Sequence, residues 1–458
     1  KRYFTWDNNN FNDPINMINY VNNTSQRNMV TIVDPHIKKD DNYYICKDIS
    51  NLDLWVKKRN SNEDFFGWCW PGTSGYPDFV NPKMRQYWAE QFKYDKYKGS
   101  TSNLFIWNDM NEPSVFDGPE VTMPKSNVHI GGIKHGDIHN IYGLYVHKAT
   151  FDGLLLRSNY NERPFVLSRS FFAGSQKYGA IWTGDNTANW QHLRVSIPML
   201  LSMSIAGLPF VGADVGGFFN NPDGELMARW YEMGSFYPFF RNHAHQDTKR
   251  RELWKFDDIY AVRMKNAIIR RYRLLPYIYT LFYENYKYGK PIIRPLWYEF
   301  TNDETLFSRD DSFMFGNSFY IHPICEANKD NIIVMLPGNN NVLWYDVRSN
   351  IKIYKNGKYD LEGYSNDIPI LRLGGTITCE KHRIRRSSKF MKNDPITIMI
   401  ALNKNNQANG TYYTDDEYTY NFDKNNDYLY TQLIYKNNIL NNNIINIGKT
   451  NFYTKIER

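Results

Sequence analysis

Leu104-Phe-Ile-Trp-Asn-Asp109 is a short run of apolar and aromatic residues that stops on an acid. The same form recurs in Val30-Thr-Ile-Val-Asp34, Phe165-Val-Leu-Ser-Arg169, Ala180-Ile-Trp-Thr-Gly-Asp185 and Leu208-Pro-Phe-Val-Gly-Ala-Asp214, with Tyr237-Pro-Phe-Phe-Arg241 as a sixth candidate. Each run ends in a charged residue, and longer segments of helical character separate them. Continuous hydrophobic strands suit a parallel sheet covered on both faces, and the polar residue after each suits chemistry gathered at the sheet's carboxyl edge. This rhythm predicts βα units from Met29 to about Arg241. A (β/α)8 TIM barrel fits them better than an open sheet, because no Gly-rich phosphate loop follows any strand.

Beyond the last run the pattern turns helical from Asp257 to about Tyr288, and Gly289-Lys-Pro291 stops it. Short runs such as Asn331-Ile-Ile-Val-Met-Leu336, Val342-Leu-Trp-Tyr345, Ile368-Pro-Ile-Leu371 and Ile396-Thr-Ile-Met-Ile-Ala401 then alternate with Asn, Gly and Asp turns, which predicts two antiparallel β-sandwich domains. The expected division is 1–288 for a partial barrel, 289–378 for a proximal and 379–458 for a distal C-terminal β-domain. Asn runs at 8–10, 339–341 and 441–443 read as loop insertions of biased composition.

A chain of 458 residues with 42% hydrophobic and 22% charged residues is a folded, multidomain protein. Its net charge of +7 is scattered, and the longest basic cluster is Arg383-Ile-Arg-Arg386, so an ordinary solvated surface is the reading rather than a nucleic-acid face. The apolar stretch Val195–Val211 is interrupted by Pro198, Gly207 and Pro209, which predicts a buried helix running into a buried strand and no membrane span. Cys46, Cys69, Cys325 and Cys379 form no CxxC pair. Triplets at Asn22, Asn23 and Asn409 permit N-glycosylation in a secretory lumen. Neither a signal peptide at the start nor a retention tetrapeptide at the end is expected.

Two segments concentrate the chemistry, Ile106-Trp-Asn-Asp-Met-Asn-Glu-Pro-Ser-Val-Phe116 and Trp182-Thr-Gly-Asp-Asn-Thr-Ala188. Each puts an Asp just past a strand, beside a Trp. A lone strand-end Asp is commonly a helix cap or loop anchor. A pair of them matches retaining glycoside hydrolysis, which needs two carboxyl groups about 5–5.5 Å apart, one ionised to attack and one protonated to release the leaving group. His243-Ala-His245 with Asp247 nearby has metal-ligand spacing, but that motif opens the barrel in dinuclear hydrolases, whereas here it follows the sixth strand candidate, so no metal is expected.

At these residues the sequence resembles glycoside hydrolase family 31. The likeness is carried by WNDMNEPSVFDGPEVTM (107–123), HNIYGLYVHKAT (139–150), PFVLSRSFFAGSQKYGAIWTGDNTANW (164–190), GADVGGFFNNP (212–222) and RWYEMGSFYPFFRNHAHQDTKRRELW (229–254). It continues through VDPHIK (33–38), GWCWPG (67–72), IRPLWYEF (293–300) and RRSSKFMKNDPIT (385–397), so it covers nearly the whole chain. The resemblance implies Asp109 as nucleophile and Asp185 as general acid/base. Asp109 must stay ionised, which donors such as Arg169 favour, and Asp185 must hold a proton, which burial beside Trp182 would favour. Arg169 and His243 resemble the family's ligands for sugar hydroxyls. Trp70, Trp107, Phe116, Trp182 and Phe218 resemble its aromatic pocket wall, and Asp34 and Asp214 are expected to anchor neighbours such as Arg169 or His243 rather than catalyse.

By the same resemblance, the PEVTM extension and the HAHQDTKRRELW tail imply an exo-acting, retaining α-glucosidase that trims terminal α-1,3-linked glucose from N-glycans in the endoplasmic reticulum lumen. It would need no cofactor and would pair with a separate β-subunit. The alternatives are an α-glucosidase or α-xylosidase of the family acting on storage or dietary saccharides, and a non-catalytic glycan-binding subunit. Family members also carry a β-sandwich and two barrel strands before the segment resembling KRYFTWD (1–7). Six strand candidates cannot close an eight-stranded barrel, so the expectation is a fragment or processed piece whose pocket lacks one glucose-binding Asp.

Overall fold

Asp13-Pro14 and Asn81-Pro82 open two helices of the chain, α1 (Pro14–Ser25) and α2 (Pro82–Glu90), each with a side-chain oxygen capping a free N–H and a Pro at the first helical position. The structure is a computed structural model that describes residues 1–458 except 339–341, 355–356, 451, 453–455 and 457–458. The Asn run at 339–341 lies outside the described residues. The chain forms two compact units, Lys1–Trp182 and Thr183–Arg458.

In the first unit, strands β1 (Met29–Ile32), β2 (Leu104–Asn108), β3 (Val166–Ser168) and β4 (Ala180–Trp182) pair in parallel in that order. Ile32 lies opposite Trp107, and Asn108 opposite Ser168. That register brings Asp34, Asp109 and Arg169, the first residues past their strands to carry charge, to one edge. Helix α3 (His135–Arg157) returns between β2 and β3 and buries Tyr142, Val146, Ala149 and Leu154 with Ile106, Val166, Trp88 and Phe92. It lies hard against the loops past β2 and β3: a Cβ on Gly143 would stand 2.4 Å from Ser170 Oγ and 2.7 Å from the Asn111 carbonyl oxygen.

In the second unit, α4 (Trp190–Ile205) is followed by β5 (Val211–Gly212), β6 (Asp214–Val215), α5 (Gly224–Gly234), β7 (Arg241–Asn242) and α6 (Asp258–Tyr288). β6 and β7 are parallel, with Asp214 opposite Arg241. The sequence places α4 wholly in a core, but it buries one face only: Leu193, Ser196, Ile197, Leu200, Leu201 and Ser204 are inside, while Val195, Met199 and Ile205 are exposed. That spacing of three and four is a single helical stripe. Among the described residues, no helix is long and apolar enough to cross a membrane. α6 ends where expected, on Gly289 at φ +71°, with Gly289 N–H donating to the Asn285 carbonyl.

The C-terminal strands form a sheet in the order 293–294, 313–315, 319–321, 370–373, 344–346, 352–353, antiparallel throughout, and 332–336 pairs antiparallel with 357–361 in a separate two-stranded sheet. A further sheet runs 397–401, 376–380, 408–414, 429–436, 439–447, antiparallel except where Thr376 meets Asn409 in parallel. Asn441–443 form no loop: they sit within the edge strand Ile439–Ile447, paired along Leu429–Lys436. Pairing along Leu429–Lys436 carries them into the strand despite the weak strand preference of Asn.

Candidate active site

The site grows from the end of β2. Asn108 Nδ2 donates to the Val33 carbonyl at 2.8 Å and Val33 N–H to the Trp107 carbonyl at 2.9 Å, locking the ends of β1 and β2 together. Asp109 follows, and Arg169 arrives from β3 with its N–H on the Asn108 carbonyl at 3.1 Å. Arg169 Nη1 stands 3.1 Å from Asp109 Oδ1. The same guanidinium grips Glu112, Nε to Oε1 at 2.7 Å and Nη2 to Oε2 at 3.1 Å, and reaches Ser114 Oγ at 3.2 Å. Burial pushes the Glu112 carboxyl up, but Arg169 and Ser114 outweigh it and hold it below the usual carboxylate range. The fork therefore fixes a cation beside Asp109 in a site where both side chains are largely covered.

Around this pair the Trp107 and Trp182 rings meet edge to face at 5.4 Å, and Trp182 is buried. Trp70 meets Phe116 edge to face at 4.9 Å and is half exposed. The loop carrying Phe116 is tied to the Phe66–Cys69 strand, with Phe116 N–H on the Trp68 carbonyl at 2.8 Å and Trp68 N–H on Asp117 Oδ1 at 2.7 Å. Asp34, also buried, accepts from Tyr3 OH at 2.5 Å, and Tyr3 OH lies 2.9 Å from His36 Nε2.

In the second unit, Asp185 stands on the loop past β4, which Gly184 turns at φ +83°. Asp185 is exposed, where the sequence places it in a buried setting beside Trp182. Gly184 takes the left-handed conformation just before it, and burial is not what surrounds this carboxyl. The loop is laced to the one past β6: Asn186 Nδ2 donates to the Asp214 carbonyl at 3.1 Å, Phe218 N–H donates to Asn186 Oδ1 at 2.9 Å, and Ala188 N–H to the Phe219 carbonyl at 2.9 Å. Asp214 Oδ1 accepts from Arg241 Nη2 at 2.6 Å and Nε at 3.1 Å. Phe218 stacks on His243, with ring centroids 5.4 Å apart, and meets His245 edge-on at 5.5 Å. Burial, then the charges of Arg241 and Arg251, lower His243 to about 4, so its imidazole is neutral.

The structure thus joins Asp109 with Arg169, Trp107 with Trp182, Trp70 with Phe116, and Phe218 with His243. It adds Glu112, Tyr3, His36, Asn186 and Arg241, which the sequence did not single out. Glu112 had a signal, three residues past Asp109 in the same quoted segment. The others are recognisable only once the strands are aligned.

Parallel βα units ending in this acid and guanidinium cluster define a TIM-barrel glycoside hydrolase architecture. Residues 1–281 match the glycosyl hydrolases family 31 TIM-barrel domain and residues 289–378 the family 31 C-terminal domain, and the chain belongs to glycoside hydrolase family 31. It is 51% identical over 442 residues to neutral alpha-glucosidase AB of Dictyostelium discoideum, covering 96% of this chain and 46% of that protein. It is 50% identical over 440 residues to neutral alpha-glucosidase AB of Homo sapiens, with the same coverage of 96% and 46%. A probable glucan 1,3-alpha-glucosidase of Arabidopsis thaliana is 49% identical over 441 residues, 96% of this chain and 47% of the relative. Among solved structures, the Tris-bound glucosidase II alpha subunit superposes with a TM-score of 0.94 at 44% identity, over 97% of this chain and 48% of that one. An ER glucosidase II heterodimeric complex of catalytic subunit and the binding domain of the regulatory subunit gives 0.94 at 43% identity, over 100% and 49%. The chain spans about half the length of the curated relatives it matches.

Proposed function

We propose that this chain carries the catalytic residues of a retaining exo-α-glucosidase, with Asp109 as nucleophile and Asp185 as general acid/base. The observation that carries this reading is the Arg169 fork, which sets a fixed cation 3.1 Å from Asp109 at the end of a barrel strand. Asp109 attacks the anomeric carbon while Asp185 gives its proton to the departing oxygen. A glucosyl ester on Asp109 results, and water deprotonated by Asp185 then releases glucose with the α configuration retained. Arg169 and His243 take sugar hydroxyls, while Trp70, Trp107, Phe116, Trp182 and Phe218 offer ring faces to its C–H surfaces. Asp34 and Asp214 hold their neighbours in place. The working division of the chain is a barrel over 1–288 and β-domains over 289–378 and 379–458.

The substrate we infer is terminal α-1,3-linked glucose on N-glycans in the endoplasmic reticulum lumen, with a separate regulatory β-subunit as partner. The relatives named glucan 1,3-alpha-glucosidase and the heterodimeric glucosidase II support this choice. Incubating the full-length protein with 5-fluoro-glucosyl fluoride and mapping its peptides tests the mechanism. A sugar bonded to Asp109 is the expected result, and a label on another residue overturns it. Comparing glucose release from α-1,3 and α-1,4 disaccharides tests the substrate, and a clear preference for the α-1,4 link would replace N-glycans with storage saccharides.

A further inference from the structure

Asp34 has no step to perform in that double displacement, yet it is the more deeply buried of two acids at neighbouring strand ends. Ile32 and Trp107 are register partners, so Asp34 past β1 and Asp109 past β2 lie at one level of the sheet. Asp34 is 3% exposed. The groups around it are the Tyr3 phenol at 2.5 Å, the His36 imidazole with Nε2 at 3.9 Å, the Cys69 thiol, Asp109 and Arg169. The Arg169 guanidinium is already committed to Glu112 and Asp109.

Three carboxyl groups thus crowd one guanidinium, and Asp34 is the least exposed of the three. Like charges at such range raise the affinity of one of them for a proton. Glu112 and Asp109 hold the guanidinium, so Asp34 is the group left to keep it. We propose that Asp34 is a positioning residue that works as a neutral, proton-bearing acid, so that the Asp34–Asp109 pair carries a single negative charge opposite Arg169.

This rests on Asp109 being the nucleophile and deepens that role. Burial first, and the charge of Asp109 next, push the Asp34 carboxyl well above the carboxylate range, against the Tyr3 hydrogen bond, Arg169 and the Asp109 N–H. His36 cannot supply the missing cation, because burial and the charge of Lys1 lower it to about 3. Tyr3 keeps its own proton, its phenol being pushed up by burial and by Asp34. The pair then moves between one negative charge, with Asp109 ready to attack, and none, with Asp109 esterified. It never passes through two.

Infrared difference spectroscopy of the full-length protein tests the protonation directly. At neutral pH the wild type is expected to show the C=O stretch of a protonated carboxyl that shifts in D2O and is missing from Asp34→Asn. Tyr3→Phe removes a hydrogen bond that favours the ionised form, so its band should persist to higher pH than in wild type. In turnover, Asp34→Asn, uncharged like the proposed form, should lower kcat about tenfold, and Asp34→Ala about a hundredfold or more. A wild type without the band at neutral pH, or an Asn variant as slow as the Ala variant, overturns the proposal. The infrared readout needs no turnover, so a protein lacking glucosidase activity would sink the function and still decide whether Asp34 holds a proton.

Discussion

Arg169 spends two of its nitrogens on Glu112, at 2.7 and 3.1 Å, and holds the third 3.1 Å from Asp109. Glu112 thereby sets the angle at which that guanidinium faces the proposed nucleophile. Glu112→Gln keeps the shape but offers one acceptor oxygen and no negative charge, so one of the two bonds is lost and the other weakened, a loss of about 1.5–3 kcal/mol. We expect kcat/KM for an α-glucoside to fall about 10- to 100-fold, in kcat and KM together, because Arg169 is assigned both to Asp109 and to the sugar. Steady-state kinetics with an unchanged melting temperature would check this, and a Gln variant with wild-type kcat/KM would show that the fork is dispensable.

The strand ends were readable from one-dimensional pattern because a strand covered on both faces must be continuously apolar, and the change to Asp or Arg marks its exit. Leu104–Asn108 and Ala180–Trp182 fall where that rule puts them. Tyr237-Pro-Phe-Phe-Arg241 obeys the same pattern, yet only Arg241–Asn242 pairs as strand: Pro238 has no N–H to give, and Phe239 N–H reaches the Val211 carbonyl alone at 3.1 Å. The Arg169–Glu112 pairing was not legible, since its partners lie 57 residues apart and meet only through the register of β2 and β3. The exposure of Asp185 escaped as well, because an apolar run does not show how far the loop after it stands from the core.

A second prediction concerns acid. Asp78, His129, His135 and His139 form an unbroken chain, buried as far as His135 and half-buried at His139, with Asp78 Oδ1 to His129 Nδ1 at 2.6 Å, His129 Nε2 to His135 Nδ1 at 3.0 Å and His135 Nε2 to His139 Nδ1 at 2.8 Å. It fastens the long loop past β2 to the first turn of α3. Burial, then His129 and His139, lower His135 to about 3, against 6.5 for a free imidazole. A base whose folded value is depressed is neutral in the fold while the unfolded chain takes up its proton, so stability is full above about pH 6.5 and falls as pH drops from there towards 3. His135, fully buried, contributes up to about 1.4 kcal/mol per pH unit in that window. Urea midpoints at pH 7.5 and 5.5 should therefore differ in wild type and differ by less in His135→Asn. Equal midpoints for the wild type would sink the claim.

Arg229 supplies a third. It is 1% exposed and, from α5, bonds Glu232 at 2.9 Å and the carbonyls of Asp367, Ser365 and Tyr364 at 2.7, 2.9 and 3.1 Å. One side chain thus ties the helix to a segment of the C-terminal β-region. Arg229→Met leaves those carbonyls without their donor and Glu232 with Arg263 alone, at 2.9 Å. Breaking a buried pair of this kind costs about 3–5 kcal/mol. The variant should melt well below wild type, whereas its kcat per folded molecule should be preserved. A melting temperature within error of wild type would mean that the tie contributes nothing.

Gly217 tests the acid/base loop without touching an ionisable group. Its φ is +79°, and a Cβ there would stand 2.3 Å from Ala188 N, in the loop that carries Asp185. Gly217→Ala therefore adds about 1–2 kcal/mol of backbone strain and forces the two loops apart. If Asp185 protonates the departing oxygen, displacing its loop should slow substrates whose leaving group needs a proton far more than those whose leaving group departs as a stable anion. We expect kcat to fall at least about tenfold on an α-linked disaccharide and only slightly on an α-glucoside of an acidic phenol. Equal losses on both would place the damage in sugar binding and remove the proton-donor role from this loop.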